Sequence, residues 1–270
     1  MRSVPGCHGN LDEGTCAFYA RMLALLNQSD VPVLMGGAYA LERYTGIGRH
    51  TKDLDIFTRP EDCRRLLDLC SAAGYRTELT FAHWLGKVYG DGNFIDVIFS
   101  SGNGIARVDD GWFEHAVDGQ VLGVPVRLCP PEEMIWSKSF VMERERYDGA
   151  DIAHLLRAVG SGLNWRRLLR RFADNWPVLL SHLVLFGYIY PAEQRQVPAW
   201  VLEDLLGRLR DDMHCPSPRA RVCRGILLSR AQYLIDIEQW GYPDARLAPA
   251  GNLTAEEIKI WTAPAKEPLE

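Results

Sequence analysis

Carboxylates at two positions of one short segment are the residues best suited to chemistry. Asp53 and Asp55 alternate with Leu54 and Ile56 in a pattern that is typical of a β-strand. Because successive strand side chains point to opposite faces, both carboxylates would lie on one face, about 6 to 7 Å apart. Like charges at this spacing repel unless a cation lies between them, and Mg²⁺ prefers oxygen ligands. The segment predicts a metal site, with a solvated acidic pair on an exposed edge as the alternative.

A third carboxylate, Asp96, interrupts an otherwise apolar segment that runs from Phe94 to Phe99. A charge in such a strand costs several kcal/mol unless it is paired or binds a metal. If this strand neighbours the strand of Asp53, the three carboxylates converge on one point. The alternative is an ion pair between Asp96 and a buried arginine such as Arg49.

Two consecutive glycines, Gly36 and Gly37, lie between an apolar run (residues 31–35) and a helical segment (residues 38–44). A glycine turn at a helix N-terminus presents backbone N–H groups and has no Cβ to obstruct a phosphate. A simple turn is the alternative, and the order of the glycines before the acidic pair is what favours phosphate binding.

These residues together carry a resemblance to a known superfamily. The run Leu34-Met35-Gly36-Gly37-Ala38, then Arg49, then Thr51-Lys52-Asp53-Leu54-Asp55-Ile56 resembles the DNA polymerase β-like nucleotidyltransferases. Its Arg-x-Thr-Lys-Asp-Leu-Asp stretch is most similar to the AbiEii-like branch, which includes toxin-like members. The resemblance covers roughly residues 15 to 157. Fifteen residues separate Gly37 from Asp53, slightly more than is usual in the superfamily.

The resemblance implies a metal-dependent transfer of a nucleoside monophosphate from an NTP to a hydroxyl of a small-molecule, RNA or protein acceptor. Asp53 and Asp55 would hold Mg²⁺ on the triphosphate, and Asp96 would join a second ion or act as a base. Gly36, Gly37 and Thr51 would contact phosphates. Lys138 would balance leaving-group charge, unless it is a solvated helix lysine. A toxin-like component of a two-gene module and a non-catalytic nucleotide-binding protein are the alternatives.

The elements that would position these residues indicate an α+β fold with a nucleotidyltransferase-type mixed sheet, flanking helices and a helical C-terminal domain. We place the nucleotidyltransferase core at residues 1–129 and the helical domain at residues 130–270. Strands are predicted at 31–35, 53–57, 75–81, 84–89, 94–99, 117–122 and 124–128, with Asp91-Gly92 as a hairpin turn. Helices are predicted at 11–26, 38–44, 61–73, 132–142, 148–158, 165–172, 178–190, 200–210 and 227–240.

The composition bears on possible partners. The formal net charge of −5 argues against a broad phosphate-binding surface, so no DNA is expected. No signal sequence or membrane-spanning run is recognised, and a cytoplasmic protein is predicted. One helix carries Arg166, Arg167, Arg170 and Arg171, which would contact RNA or pair with neighbouring acids. The pair His83-Trp84 would line an acceptor site or belong to the core.

Overall fold

One seven-stranded mixed sheet organises the N-terminal half of the chain. The computed structural model describes residues 12–48, 51, 53–214 and 221–263; the predictions for Arg49 and Lys52 lie outside these ranges. The strands found within them are β1 (Leu34–Met35), β2 (Leu54–Phe57), β3 (Arg76–Phe81), β4 (Leu85–Gly90), β5 (Asn93–Ile98), β6 (Val117–Val121) and β7 (Val124–Leu128). Their order across the sheet is β3-β4-β5-β2-β1-β7-β6.

The pairing of the central strands brings the acidic segments together. Strand β2 is antiparallel to β1 and parallel to β5, with Asp55 in register with Asp96. Strands β4 and β5 form a hairpin whose turn residues Asp91 and Gly92 both have positive φ, 53° and 75°. That geometry is the type I′ turn that the Asp-Gly dipeptide predicts.

Helices cover the sheet and continue into the C-terminal half. Those of the described residues are α1 (Glu13–Asn27), α2 (Gly37–Thr45), α3 (Pro60–Ala72), α4 (Asp110–Glu114), α5 (Pro131–Lys138), α6 (Gly149–Val159), α7 (Trp165–Phe172), α8 (Trp176–Ile189), α9 (Ala199–His214), α10 (Leu234–Glu238) and α11 (Ala255–Thr262). None of them is both long and apolar enough to cross a bilayer.

The two faces of the sheet have different roles. Helices α1 and α3 pack on one face, where Leu54, Ile56, Ile95 and Val97 are buried. Because strand side chains alternate, Asp53, Asp55 and Asp96 point to the opposite face. There α2 packs against β2 and α6, and α5 to α9 pack successively on one another. The predicted α+β class, with its mixed sheet and helical C-terminal region, is confirmed.

Several predicted boundaries are wrong, chiefly in the C-terminal half. The helix predicted for residues 227–240 is replaced by a 3₁₀ turn (Gly225–Leu227) and the short α10, because Leu228, Arg230 and Gln232 hydrogen bond to Met142 and Glu143. The helix predicted for 132–142 ends at Lys138, and the Met142 N–H donates to the Leu228 carbonyl instead of continuing the helix. Helices α4 and α11 were not predicted. The division between residues 129 and 130 stays a prediction.

Candidate active site

Three carboxylates converge on the open face of the sheet. Asp53 and Asp55 come from β2 and its N-terminal end, and Asp96 comes from β5. One oxygen of each lies within 4.8 Å of the others. The donor set contains only carboxylate oxygens, which is the chemistry that Mg²⁺ prefers, so the residues fit a hard divalent cation.

Burial, together with the neighbouring negative charges, raises the pKa of Asp55. Burial is the main cause, and the carboxylates of Asp53 and Asp96 add to it, so that the pKa of Asp55 is about 7. Lys138 and Arg146 oppose the shift without cancelling it. A pKa of this size shows that the protein alone does not neutralise the cluster, whereas a bound cation would favour the charged form.

The third carboxylate has a cationic partner on the neighbouring strand. Lys87 lies opposite Asp96 in the β4–β5 register, and its Nζ donates to Asp96 Oδ1 at 2.5 Å. The Lys87 ammonium also lies 4.0 Å from the centre of the Phe94 ring. Burial nevertheless keeps the pKa of Asp96 above its ordinary value. The ion pair occupies one oxygen of Asp96 and leaves the second one without this partner.

The glycine turn is shaped by the side chains of β2. A Cβ on Gly37 would lie 1.7 Å from Asp55 Oδ2, and a Cβ on Gly36 would lie 2.2 Å from the Phe57 ring. Gly37 also has a φ of +54°, in the left-handed region that favours glycine. Gly36 is the N-cap of α2, and glycine has no side chain that could accept a hydrogen bond from the first turn. The first N–H groups of α2 are therefore not capped by Gly36 and lie beside Asp55.

Thr51 supports the first carboxylate. Its hydroxyl donates to Asp53 Oδ1 at 2.5 Å. The hydroxyl is therefore engaged with the predicted metal ligand in this structure, and its position allows it to orient Asp53.

Lys138 is held at the end of α5 by two acidic residues of the neighbouring helix. Its Nζ lies 3.0 Å from Asp148 Oδ2 and 2.8 Å from Asp151 Oδ2. Burial acts to lower the pKa of Lys138, but the two carboxylates outweigh it and the pKa lies above its ordinary value. Arg146 pairs with Asp148 on the same side. The alternative of a solvated helix lysine does not describe this side chain.

A cleft of about 1060 Å³ joins these residues. Its floor is the carboxylate face of the sheet with Gly37 and Thr51, and its opposite side is formed by the end of α5 and residues 140–151. Residues 227–232 and Trp261 complete it at the far end. All predicted site residues except Gly36 line this cleft, and Gly36 adjoins it at the start of α2.

Of the other predicted candidates, two arginines form ion pairs within the structure and one tryptophan lines the cleft. Arg167 is buried and pairs with Glu132 and Glu133, while Arg171 pairs with Glu133 and Asp109. These two arginines therefore hold helices together and are not available to RNA. Trp84 is half-buried, lines the cleft and stacks on Phe81 with ring centres 5.5 Å apart, and its role in an acceptor site stays a prediction.

Sequence reasoning missed Lys87, although a signal for it exists. A two-residue Asp91-Gly92 turn sets residue 90 opposite 93, and counting back along the hairpin places Lys87 opposite Asp96. No comparable signal exists for residues 227–232 or Trp261, which lie more than 100 positions beyond the three carboxylates in the sequence.

The model of a family described as "Uncharacterised nucleotidyltransferase" matches residues 14–180, which is more than half of the chain. The match does not distinguish the AbiEii-like branch. Comparison with curated protein sequences gives no match.

Solved structures with a similar fold include two of the antibiotic-resistance factor ANT(2'')-Ia. The first has 18% sequence identity and a TM-score of 0.43, over 64% of this chain and 98% of that one. The second, in complex with adenylyl-2''-tobramycin, has 17% identity and a TM-score of 0.39, over 65% and 98%. The lincomycin-bound lincosamide antibiotic adenylyltransferase LnuA has 16% identity and a TM-score of 0.38, over 54% and 98%. At these identities the likeness concerns the fold alone.

Proposed function

The chain belongs to the family described as "Uncharacterised nucleotidyltransferase", and from this premise we propose that it transfers a nucleoside monophosphate from an NTP to an acceptor hydroxyl with the help of Mg²⁺. The observation that carries the proposal is the convergence of Asp53, Asp55 and Asp96 within 4.8 Å, beside the start of α2. Because NTPs and Mg²⁺ are abundant in the cytoplasm, we propose that compartment for the reaction.

Each residue of the site has a role that its surroundings support. Asp53, oriented by Thr51, and Asp55 would hold the cation that accompanies the triphosphate. One or two Mg²⁺ ions in this cluster would neutralise charge on the transferring phosphoryl group. Gly36 and Gly37 leave room for phosphate oxygens to reach the first N–H groups of α2.

Lys138 would contact the leaving phosphates. An ammonium has three N–H donors, and Asp148 and Asp151 take two of them. The third is left for a phosphate oxygen, while the two carboxylates keep the side chain charged and fixed in place.

The transfer itself needs a proton acceptor beside the incoming hydroxyl. The acceptor oxygen forms a bond to the α-phosphorus, the bond from that phosphorus to the β-phosphate oxygen breaks, and pyrophosphate leaves. The hydroxyl proton would pass to the oxygen of Asp96 that Lys87 does not occupy.

Calorimetric titration with each of the four NTPs, with and without Mg²⁺, tests this function. We expect binding that requires Mg²⁺ in the wild type and is lost in Asp53→Ala and Asp55→Ala. Asp68→Ala is the matched control, because Asp68 is an exposed carboxylate of α3 that pairs with Arg64. A folded wild-type protein that binds no NTP would show that the family's fold serves another purpose here, and binding without turnover for any acceptor class would favour the non-catalytic alternative.

A further inference from the structure

The cleft extends well beyond the three carboxylates. Asp96 and Ile98 of strand β5 line the cleft, and so does Ser100, which lies two residues beyond the end of that strand. The cleft volume of about 1060 Å³ is at the upper limit for a single small ligand. A nucleotide at the carboxylates would leave room for a second small molecule beside it.

We define the far end of the cleft by Trp84, Ser100, residues 227–232 and Trp261. Within it, residues 227–230 hydrogen bond to both sides of the cleft. On the sheet side, Asn103 Nδ2 donates to the Leu227 carbonyl at 2.6 Å, in a buried contact. On the helical side, the Met142 N–H donates to the Leu228 carbonyl at 3.0 Å. The Arg230 N–H donates to Glu143 Oε1, also at 3.0 Å. Residues 227–230 therefore bridge the two sides and bound the cleft at this end.

The surface of the far end is mainly aromatic and aliphatic. Trp84 and Trp261 line it together with Ile98, Leu227 and Leu228. Trp261 lies directly over Gly102, where a Cβ would come within 2.6 Å of the indole, and its ring meets His83 edge to face. Such faces pack against the flat face of a sugar or an aromatic ring.

The polar groups of the far end leave little uncompensated charge. The Glu143 carboxylate accepts hydrogen bonds from the Ser229 hydroxyl and the Arg230 N–H. Arg230 is a charged residue of the far end itself, and Arg144 and Glu145, which line the cleft beside it, are exposed and of opposite sign. Ser100 lines the cleft, and its hydroxyl makes no hydrogen bond within the described parts of the chain, so it can pair with a ligand hydroxyl.

We propose that the far end is the acceptor subsite, and that the acceptor is a small, uncharged, ring-bearing alcohol. This inference rests on the nucleotidyltransferase function proposed above and specifies its substrate class. In-line transfer requires the acceptor oxygen on the side of the α-phosphorus opposite to pyrophosphate. Lys138 and Gly37 mark the triphosphate side, whereas the cleft leads from Asp96 toward Ser100 and Trp261. The acceptor hydroxyl loses its proton to Asp96, and pyrophosphate is the second product.

A transfer assay with α-phosphate-labelled NTPs and Mg²⁺ tests the acceptor class. The probes are uncharged aryl glycosides, led by para-nitrophenyl glucoside, with total tRNA and casein as macromolecular comparators. We expect label in at least one glycoside and none in tRNA or casein. Label in tRNA or casein, or no labelled glycoside from a protein that binds NTP by calorimetry, would overturn the acceptor class while the nucleotide site stands. Failure of NTP binding in the calorimetric experiment would instead overturn the proposed function.

Variants of the far end locate the acceptor. Trp261→Leu should raise the KM for the glycoside at least about tenfold, equivalent to about 1.4 kcal/mol, while the Kd for NTP stays within about twofold. Gly102→Ala, which displaces the Trp261 indole, should act in the same direction. Trp240→Leu is the control, because Trp240 is 58% exposed and does not line the cleft. A rise in the Kd for NTP with an unchanged acceptor KM would show that the far end holds the nucleobase and would overturn the proposal.

Discussion

At the scale of single residues, the glycine pair and the acidic pair depend on each other. The side chains of Asp55 and Phe57 fill the space in which Cβ atoms at residues 37 and 36 would lie. Glycine is therefore required at both positions. Only then can the strand present its carboxylate to the cleft while the turn leaves room for phosphate. The ordered motif in the sequence is the consequence of this packing.

Gly37→Ala should abolish Mg²⁺-dependent NTP binding and lower the free energy of unfolding by about 1 to 3 kcal/mol. The new Cβ would collide with Asp55 Oδ2 in addition to the strain of a positive φ. Gly46→Ala separates the two effects, because Gly46 has a φ of +73° and no atom of the described residues lies within 4 Å of the added Cβ. Calorimetry and urea unfolding of both variants measure them, and equal loss of NTP binding in the two would contradict a specific role for the collision.

Lys87→Met should weaken catalysis more than nucleotide binding. Without the ammonium, Asp96 loses the partner that fixes one of its oxygens, and its proton affinity rises further. We expect kcat to fall at least about tenfold while the Kd for Mg²⁺–NTP changes less. Lys87→Arg should recover part of the activity. A Met variant with unchanged kcat would show that the ion pair is only structural.

The sequence predicts some residues of this site directly, some only with further reasoning and others not at all. The three carboxylates and the glycine pair follow from alternation within strands and from a turn. Lys87 follows only if the hairpin register is counted through. The role of Thr51 as a support of Asp53, and the pairing of Lys138 with Asp148 and Asp151, need side-chain directions that periodicity does not contain.

At the scale of elements, a buried charge network fixes helix α5. Arg167 of α7 donates to both oxygens of Glu133 at 2.8 Å and also pairs with Glu132. Glu133 is fully buried and pairs in addition with Arg171. Because α5 ends at Lys138, this network determines where that ammonium meets the cleft.

Arg167→Met should destabilise the protein by about 3 kcal/mol or more, since it leaves two buried carboxylates with less compensation. Arg170→Met on the same helix should change stability by less than about 0.5 kcal/mol, because Arg170 is exposed and makes no ion pair within the described parts of the chain. Urea unfolding measures both. Similar values for the two variants would mean that the network adds nothing to stability.

Local patterns at this scale gave the sheet and most helices correctly but failed at residues 225–240. The apolar spacing there is compatible with a helix. The backbone instead hydrogen bonds to Met142, Glu143 and Asn103, which are distant in sequence. Tertiary contacts of this kind override a local preference and cannot be derived from a window of residues.

At the scale of the whole molecule, the acidic cluster that the proposed function requires lowers the stability of the metal-free protein. The raised pKa of Asp55 means that the folded protein binds more protons than the unfolded chain between the ordinary aspartate pKa and about 7. Stability therefore falls as the pH rises through this window, and the loss is complete above about 7. A cation at the cluster would reverse it.

Asp55→Asn should accordingly raise the Tm of the metal-free protein, by about 2 °C or more at pH 8 and by less at pH 5. Added Mg²⁺ and NTP should raise the Tm of the wild type but not of the variant. Thermal scans at the two pH values test both effects. A variant less stable than the wild type at pH 8 without metal would show that Asp55 makes favourable contacts that outweigh the repulsion.

The bridge between Asn103 and Leu227 also has a consequence for biosynthesis. The two residues are 124 positions apart, and ribosomes add about 5 to 20 residues per second. The last strand of the sheet ends at Leu128, 99 positions before Leu227, so the sheet with its carboxylates can emerge roughly 5 to 20 seconds before residues 227–232 leave the ribosome. During that interval a nascent chain would hold the carboxylates without the residues that we propose enclose the acceptor, so translation itself would delay the appearance of a selective enzyme.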